Sequence, residues 1–194
     1  MLFPSIFFSY PCCMLTLLAV GLMAAQDKTD NPVVEMHVYQ RGVYEIELYP
    51  EKAPKLVEHF LALVDRKFYN GMLFHRVVDG WVAQTGDPES KTMTREEALA
   101  LPVGSYGQVE GLGDGGSGKT VPFEDNDVSH LPGVVGMALE SEADDTGDSQ
   151  FFINLNDNRR LDHLYCAFGK VTKGLDRIKK IRRGDPIIWL RRKR

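Results

Sequence analysis

Cysteine is scarce in this chain: three residues in 194, two of them adjacent at Cys12-Cys13. Those two lie in a segment expected to be removed from the mature protein, and the remaining Cys166 alone excludes an internal disulfide framework. The run Tyr165-Cys166-Ala167-Phe168 reads as a buried strand, which suits a core thiol better than a nucleophile. Histidine is sparse as well, with five residues. His37, His59, His130 and His163 show no ligand spacing, and His75 reads as a hydrogen-bonded core residue, so no metal centre is expected. No Ser-His-Asp order emerges, and no cofactor is expected. Charge of one sign is not in excess: 23 basic against 27 acidic side chains give a net charge of -4, and nothing in that balance points to nucleic acid. The basic end, Arg182-Arg183 and Arg191-Arg192-Lys193-Arg194, reads as a solvated terminal helix and tail. There is no internal repeat.

Charge is missing altogether from residues 1 to 25. The apolar run Met14 to Met23 followed by Ala24-Ala25 has the form of a secretory core and a small-residue cleavage site. The segment has no Lys or Arg at its start and carries Pro4 and Pro11, and it is long enough to span a bilayer if it is retained. The expectation is export, to the periplasm or outside the cell, with membrane anchoring or a cytoplasmic location as the alternatives. The chain then divides into a leader or anchor at 1–25, a polar linker at 26–32, one domain at 33–190 and a basic tail at 191–194.

Within the domain, Val33 to Tyr39 and Val43 to Tyr49 read as two strands around the turn Gln40-Arg41-Gly42. Leu56, Val57, Phe60, Leu61 and Val64 fall at helical spacing behind Pro54, which suits a first turn. Further strands are predicted at Leu73 to Val78, Trp81 to Gln84, Val134 to Leu139, Phe151 to Leu155, Ala167 to Val171 and Pro186 to Leu190, with a second helix over Leu175 to Arg183. Between them lies a long glycine-rich stretch, Pro88 to Asn126. Its segment Ser90 to Gln108 holds a short helical pattern, Thr94 to Leu101, read as an insertion. Many short strands without helical crossovers exclude a parallel sheet and favour a closed antiparallel barrel, a mainly β fold.

Chemistry concentrates in Phe74-His75-Arg76-Val77-Val78-Asp79-Gly80-Trp81-Val82-Ala83-Gln84-Thr85-Gly86-Asp87. A turn at Asp79-Gly80 brings Arg76, Trp81 and Gln84 to one mouth. An arginine fork, an amide and a flat apolar wall suit a neutral polar ligand with an apolar ring. A second motif, Gly113-Asp114-Gly115-Gly116-Ser117-Gly118-Lys119-Thr120, fits the phosphate-loop pattern at every position. That pattern binds phosphate only ahead of a helix, and Val121-Pro122-Phe123-Glu124-Asp125 does not start one, so no nucleotide is expected.

Three further runs follow in order: Gly133-Val134-Val135-Gly136-Met137-Ala138, Ser149-Gln150-Phe151-Phe152-Ile153, and Leu161-Asp162 with Phe168-Gly169-Lys170-Val171. Together with the first run they resemble the cyclophilins, over about Val33 to Leu190. The resemblance implies an eight-stranded barrel capped by two α-helices, with a peptidyl-prolyl cis-trans isomerase site on its outer face. It implies Arg76 as the catalytic arginine and Trp81, Val82, Gln84, Met137, Ala138, Gln150, Phe152, Leu161, Tyr165 and Phe168 as substrate-binding positions. Trp81 stands where most members carry Phe, Val82 where Met is usual, Tyr165 where many have His, and Arg160 where well-known members have a cyclosporin-contacting Trp. The expected partners are proline-containing peptides and folding proteins, the expected state is monomeric, and a proline-peptide-binding chaperone on the same fold is the rival reading. Glu140, Glu142, Asp144, Asp145 and Asp148 crowd the loop after Ala138, where they would favour substrates with Lys or Arg near the proline.

Overall fold

The structure, a computed structural model, describes residues 31–102 and 111–194. The leader 1–25, residues 26–30 of the linker and the end of the insertion at 103–108 lie outside the described residues. Eight strands form one antiparallel sheet: β1 Val33–Val38, β2 Gly42–Leu48, β3 Arg76–Val78, β4 Val82–Thr85, β5 Val134–Met137, β6 Phe151–Asn154, β7 Ala167–Lys173 and β8 Ile187–Arg192. Their order across the sheet is β3-β4-β6-β5-β7-β2-β1-β8. Alternation fixes which side chains face in: Val34, Met36 and Val38 of β1 and Tyr44, Ile46 and Leu48 of β2 are all buried, with their neighbours partly wet.

The expected closed barrel is realised as a curled sheet whose edge strands β3 and β8 do not form a ladder. A short seam joins them instead. Leu73 bridges Pro186, Phe74 N donates to Asp185 O at 3.0 Å, and Ile187 N donates to Met72 O at 2.8 Å. Helix α1, Pro54–Asp65, plugs one mouth. Its buried face carries Phe60, whose ring meets those of Tyr69, Phe151 and Phe168 at centroid distances of 5.2, 5.5 and 5.1 Å. Ala53 supplies no side-chain cap. The Glu124 carboxylate, from the far end of the long loop, accepts from Lys55 N and Leu56 N at 3.1 and 2.9 Å and holds negative charge at the helix start.

Two expectations need correction. The helix predicted over Leu175 to Arg183 is a 3-10 turn, Leu175–Lys180, entered through Gly174 and burying only Ile178. Six residues with one apolar anchor do not sustain a longer helix. The tail predicted from 191 is partly sheet. Arg191 and Arg192 continue β8 opposite Glu35 and Val34, and they pair with Glu35 at 2.9 Å and Asp65 at 2.7 Å. The insertion does contain its helix, α2 Arg95–Ala100, started by a Thr94/Glu97 capping box. No helix among the described residues is long and apolar enough to cross a membrane.

Burial also sets the chemistry of two core groups. Desolvation pushes the Cys166 thiol up to about 12, so it stays protonated and inert at neutral pH. Desolvation lowers His75 to about 4, and its ring approaches the Gln150 side chain and the Leu73 backbone without closing a well-formed hydrogen bond. The unfolded chain takes that proton near the ordinary value of 6.5. It therefore binds more protons than the folded state between those limits, and stability falls as pH drops from 6.5 towards 4. Denaturant titrations at pH 7 and pH 4.5 are expected to differ by about 2–3 kcal/mol more for the wild type than for His75→Gln.

Candidate active site

Strand register brings the site together. Arg76 on β3 stands opposite Gln84 on β4, Gln84 opposite Phe152 on β6, and Phe152 opposite Gly136 on β5. These four share the outer face of the sheet, joined by Val82 two residues before Gln84. Gly136 has to lack a side chain. A Cβ there would lie 2.5 Å from the Phe152 ring and 2.9 Å from His130.

The apolar half of the site is a cluster separate from the barrel core. Val82, Phe152 and Leu161 are buried in it, with Trp81, Ala138 and Tyr165 packed around them. Tyr165 meets Phe152 edge-on at 5.7 Å. The polar half is a chain of hydrogen bonds. Arg76 Nη1 donates to Gln84 Oε1 at 2.9 Å, Gln84 Nε2 donates to Gln150 Oε1 at 3.0 Å, and Gln150 Nε2 donates to the carbonyls of Gly113 and Gly115, each at 2.8 Å. Each amide is thereby fixed in one orientation, and so is the guanidinium at the end. Half-burial pulls the Arg76 pKa down by desolvation, against the nearby Tyr165 phenol, yet an arginine remains a cation at any physiological pH.

The glycine loop that resembles a phosphate loop is the far anchor of this chain. It runs from Gly113 to Thr120 without a helix, and Val121 makes a single bridge to Gly147. The fully buried Asp87 accepts from Gly113 N and Glu89 N, and Asp148 accepts from Gly118 N. Gly115 lies so close that a Cβ would sit 2.2 Å from Asp87 Oδ1. Gly115→Ala is therefore expected to shift the loop, release Gln150 and lower kcat/KM by about 10- to 100-fold. Its Tm should change by only a few degrees; unchanged kcat/KM in an assay of the isomerase activity that the resemblance implies would remove the positioning role.

Nine of the eleven sequence-identified residues meet here: Arg76, Trp81, Val82, Gln84, Ala138, Gln150, Phe152, Leu161 and Tyr165. Met137 and Phe168 do not. Met137 is 1 % exposed and Phe168 is 0 % exposed, and both belong to the barrel core. Parity is the reason: Met137 follows the outward Gly136, and its strand partner is the inward Phe151. Phe168 turns in against Phe60.

Three supporting residues escaped the sequence reading. Asn154 Nδ2 donates to His130 Nδ1 at 3.1 Å, which leaves Nε2–H to donate to Tyr165 O at 3.0 Å. The His130 ring lies against Phe152 at 5.7 Å and 21°. Asn158 Nδ2 donates both to Asn154 Oδ1 and to Trp81 O, at 2.8 and 2.9 Å. The signal available was the order of polar residues around Phe152, but nothing in the spacing of His130, Asn154 and Asn158 links them.

Much of the acidic loop is structural. Asp148 holds the glycine loop, Asp145 accepts from Phe123 N at 2.8 Å, and Asp144 accepts from Ser141 N and Thr146 N at 2.9 and 3.1 Å. The exposed Glu142 still reaches the site electrically, since it joins burial in raising the Tyr165 pKa.

A curled antiparallel barrel with an external groove, an amide-held arginine and an apolar ring pocket defines a class of protein that handles extended peptide with a ring-bearing residue. The comparisons give its family. The model of the cyclophilin type peptidyl-prolyl cis-trans isomerases matches residues 33–188. A peptidyl-prolyl cis-trans isomerase of Acinetobacter baylyi is 36% identical over 166 residues, covering 83% of this chain and 77% of the relative. Peptidyl-prolyl cis-trans isomerase B of Bacillus subtilis is 36% identical over 141 residues, covering 73% and 84%. The crystal structure of a Cryptosporidium parvum cyclophilin type isomerase superposes with a TM-score of 0.67 at 22% identity, over 84% of this chain and 98% of that one. The chain belongs to the cyclophilin-type peptidyl-prolyl cis-trans isomerases, and it is an isomerase.

Proposed function

We propose that this isomerase rotates X-Pro bonds of peptides and folding proteins, with Arg76 as the catalytic donor and Val82, Phe152 and Leu161 as the floor of the proline pocket. The supporting observation is the fixed row Arg76–Gln84–Gln150 running beside that apolar cluster. The barrier to rotation comes from amide resonance and stands at about 18–20 kcal/mol. Resonance is lost when the prolyl nitrogen becomes pyramidal and regains a lone pair. A guanidinium N–H directed at that lone pair binds the twisted state better than either planar one, which is the differential binding that catalysis requires. No nucleophile and no proton transfer is needed. Gln84 and Gln150 hold the guanidinium in line and offer amide groups to the peptide backbone. A related solved structure carries the same fold in the presence of the dipeptide Ala-Pro, a ligand of the class proposed here.

The test is acceleration of cis-to-trans relaxation of Ala-Pro peptides by the purified chain, with peptide-dependent NMR shifts at Trp81 and Phe152. Shifts without acceleration would support the binding-module reading instead. Export is the proposed location, supported by the uncharged segment 1–25 and its Ala24-Ala25 end; N-terminal sequencing of the natural protein checks it.

A further inference from the structure

Two cations lie against the Trp81 ring. Arg76 Cζ is 4.7 Å from its centroid and Arg160 Cζ is 5.0 Å from it. Their situations differ. Arg76 is half-buried and committed to Gln84. Arg160 is exposed, on the 3-10 turn Arg159–Leu161 whose Leu161 forms part of the apolar cluster. Among the described residues Arg160 makes neither an ion pair nor a hydrogen bond, whereas its neighbour Arg159 is paired with Asp157 at 3.6 Å. The Trp81 Nε1–H is enclosed with no acceptor. The exposed Arg160 therefore gives this rim of the pocket positive charge and unused N–H donors. A guanidinium stacked on an indole has its plane fixed and its N–H edges free. Tyr165, packed on the same apolar cluster, feels the carboxylates of Glu142 and Asp144 together with the Arg76 cation.

We propose that Arg160, stacked on Trp81, is a carboxylate-accepting subsite that selects peptides with Asp or Glu next to the proline. The proposal rests on the isomerase reading given above. An acidic side chain passing the Trp81 edge meets the Arg160 fork, which can hold a carboxylate through two N–H bonds. A Lys there meets like charge. The pairing is exposed, so the preference is modest and screened by salt.

The experiment measures kcat/KM on X-Pro peptides carrying Glu, Ala or Lys at the residue before or the residue after proline, at 20 mM and at 500 mM salt. Calorimetric Kd values are taken for the same peptides. At one of the two positions the wild type is expected to favour Glu over Lys by about threefold to tenfold at low salt, with the ratio shrinking at high salt. Arg160→Lys should keep the sign of that preference, Arg160→Gln should bring the ratio to about one, and Arg160→Glu should invert it. A purely structural prop for Trp81 would lower all peptides alike and leave the ratios where they were. Glu:Lys ratios that stay the same in Arg160→Glu at both positions overturn the subsite. If no peptide is turned over but the Kd ratios invert, the subsite stands and the isomerase reading fails.

Discussion

Arg76→Ala is expected to lower kcat/KM for an X-Pro peptide by about 10²–10³-fold while the protein stays folded. A single preorganised donor aimed at a transition state is worth that much because it needs no reorganisation when the bond twists. The fold should survive because Arg76 lies at a half-exposed edge. Its loss frees Gln84 Oε1, which water can reach, and uncovers one face of Trp81, so the stability change is expected to stay within about 1.5 kcal/mol. Arg76→Lys keeps the charge and loses the planar fork, so it should recover little of the rate. Peptide affinity, which the proposed function assigns to the cluster of Val82, Phe152 and Leu161, should fall far less than turnover. A variant that keeps near-normal turnover would remove Arg76 from the mechanism and move the assignment to the pocket alone.

Asp185→Ala is expected to cost about 3 kcal/mol and to lower Tm by about 6–12 °C. Asp185 is 1 % exposed and sits at the seam that closes the curled sheet. One carboxylate oxygen accepts from Arg41 Nε at 2.6 Å and from Arg182 N at 2.8 Å; the other accepts from Arg95 Nε at 3.4 Å. This one side chain thus ties the β1–β2 turn and helix α2 to the last strand. Its bond raises the Arg41 pKa, the mark of a cation stabilised where it stands. Removing the carboxylate strands that cation beside a buried seam and orphans the Arg182 amide. Arg41 and Arg95 are 22% and 32% exposed and can partly rehydrate, which keeps the effect below that of a wholly buried pair. Asp185→Asn retains an acceptor and should lose less. Equal thermal stability of Asp185→Ala and wild type would show that the backbone seam closes the sheet unaided.

The inserted helix α2 gains a structural explanation from the same place. The sequence showed a helical pattern of no evident purpose in Thr94 to Leu101. In the fold it covers the seam, with Arg95 on Asp185 and with Leu99 O accepting from Arg183 Nη2 at 3.3 Å.

The local order of the chain was legible in its residues. Alternation marked the strands, Pro54 and the 3.6-residue spacing marked α1, and the run from Phe74 to Asp87 carried Arg76, Trp81 and Gln84 on two strands joined by a turn. Those signals are local because they depend on φ/ψ preference and on which face of one element is apolar. The same run, with three others, carried the family resemblance and with it most of the pocket. Parity across strands was harder to read. The resemblance places Met137 and Phe168 in the groove, and one residue of pleat sends each into the core. Contacts between distant segments left no trace in spacing: the hold of Asp87 on the glycine loop, the His130–Asn154–Asn158 brace, and the stacking of Arg160 on Trp81 all join residues whose separation has no period. The residues themselves marked most of the elements, and the family resemblance they carry implied the catalytic type. Which side chains share one face, what fixes the Arg76 guanidinium, and how the barrel is shut were decided by the tertiary structure, because register, seam and loop anchorage exist only when strands far apart in the chain lie side by side.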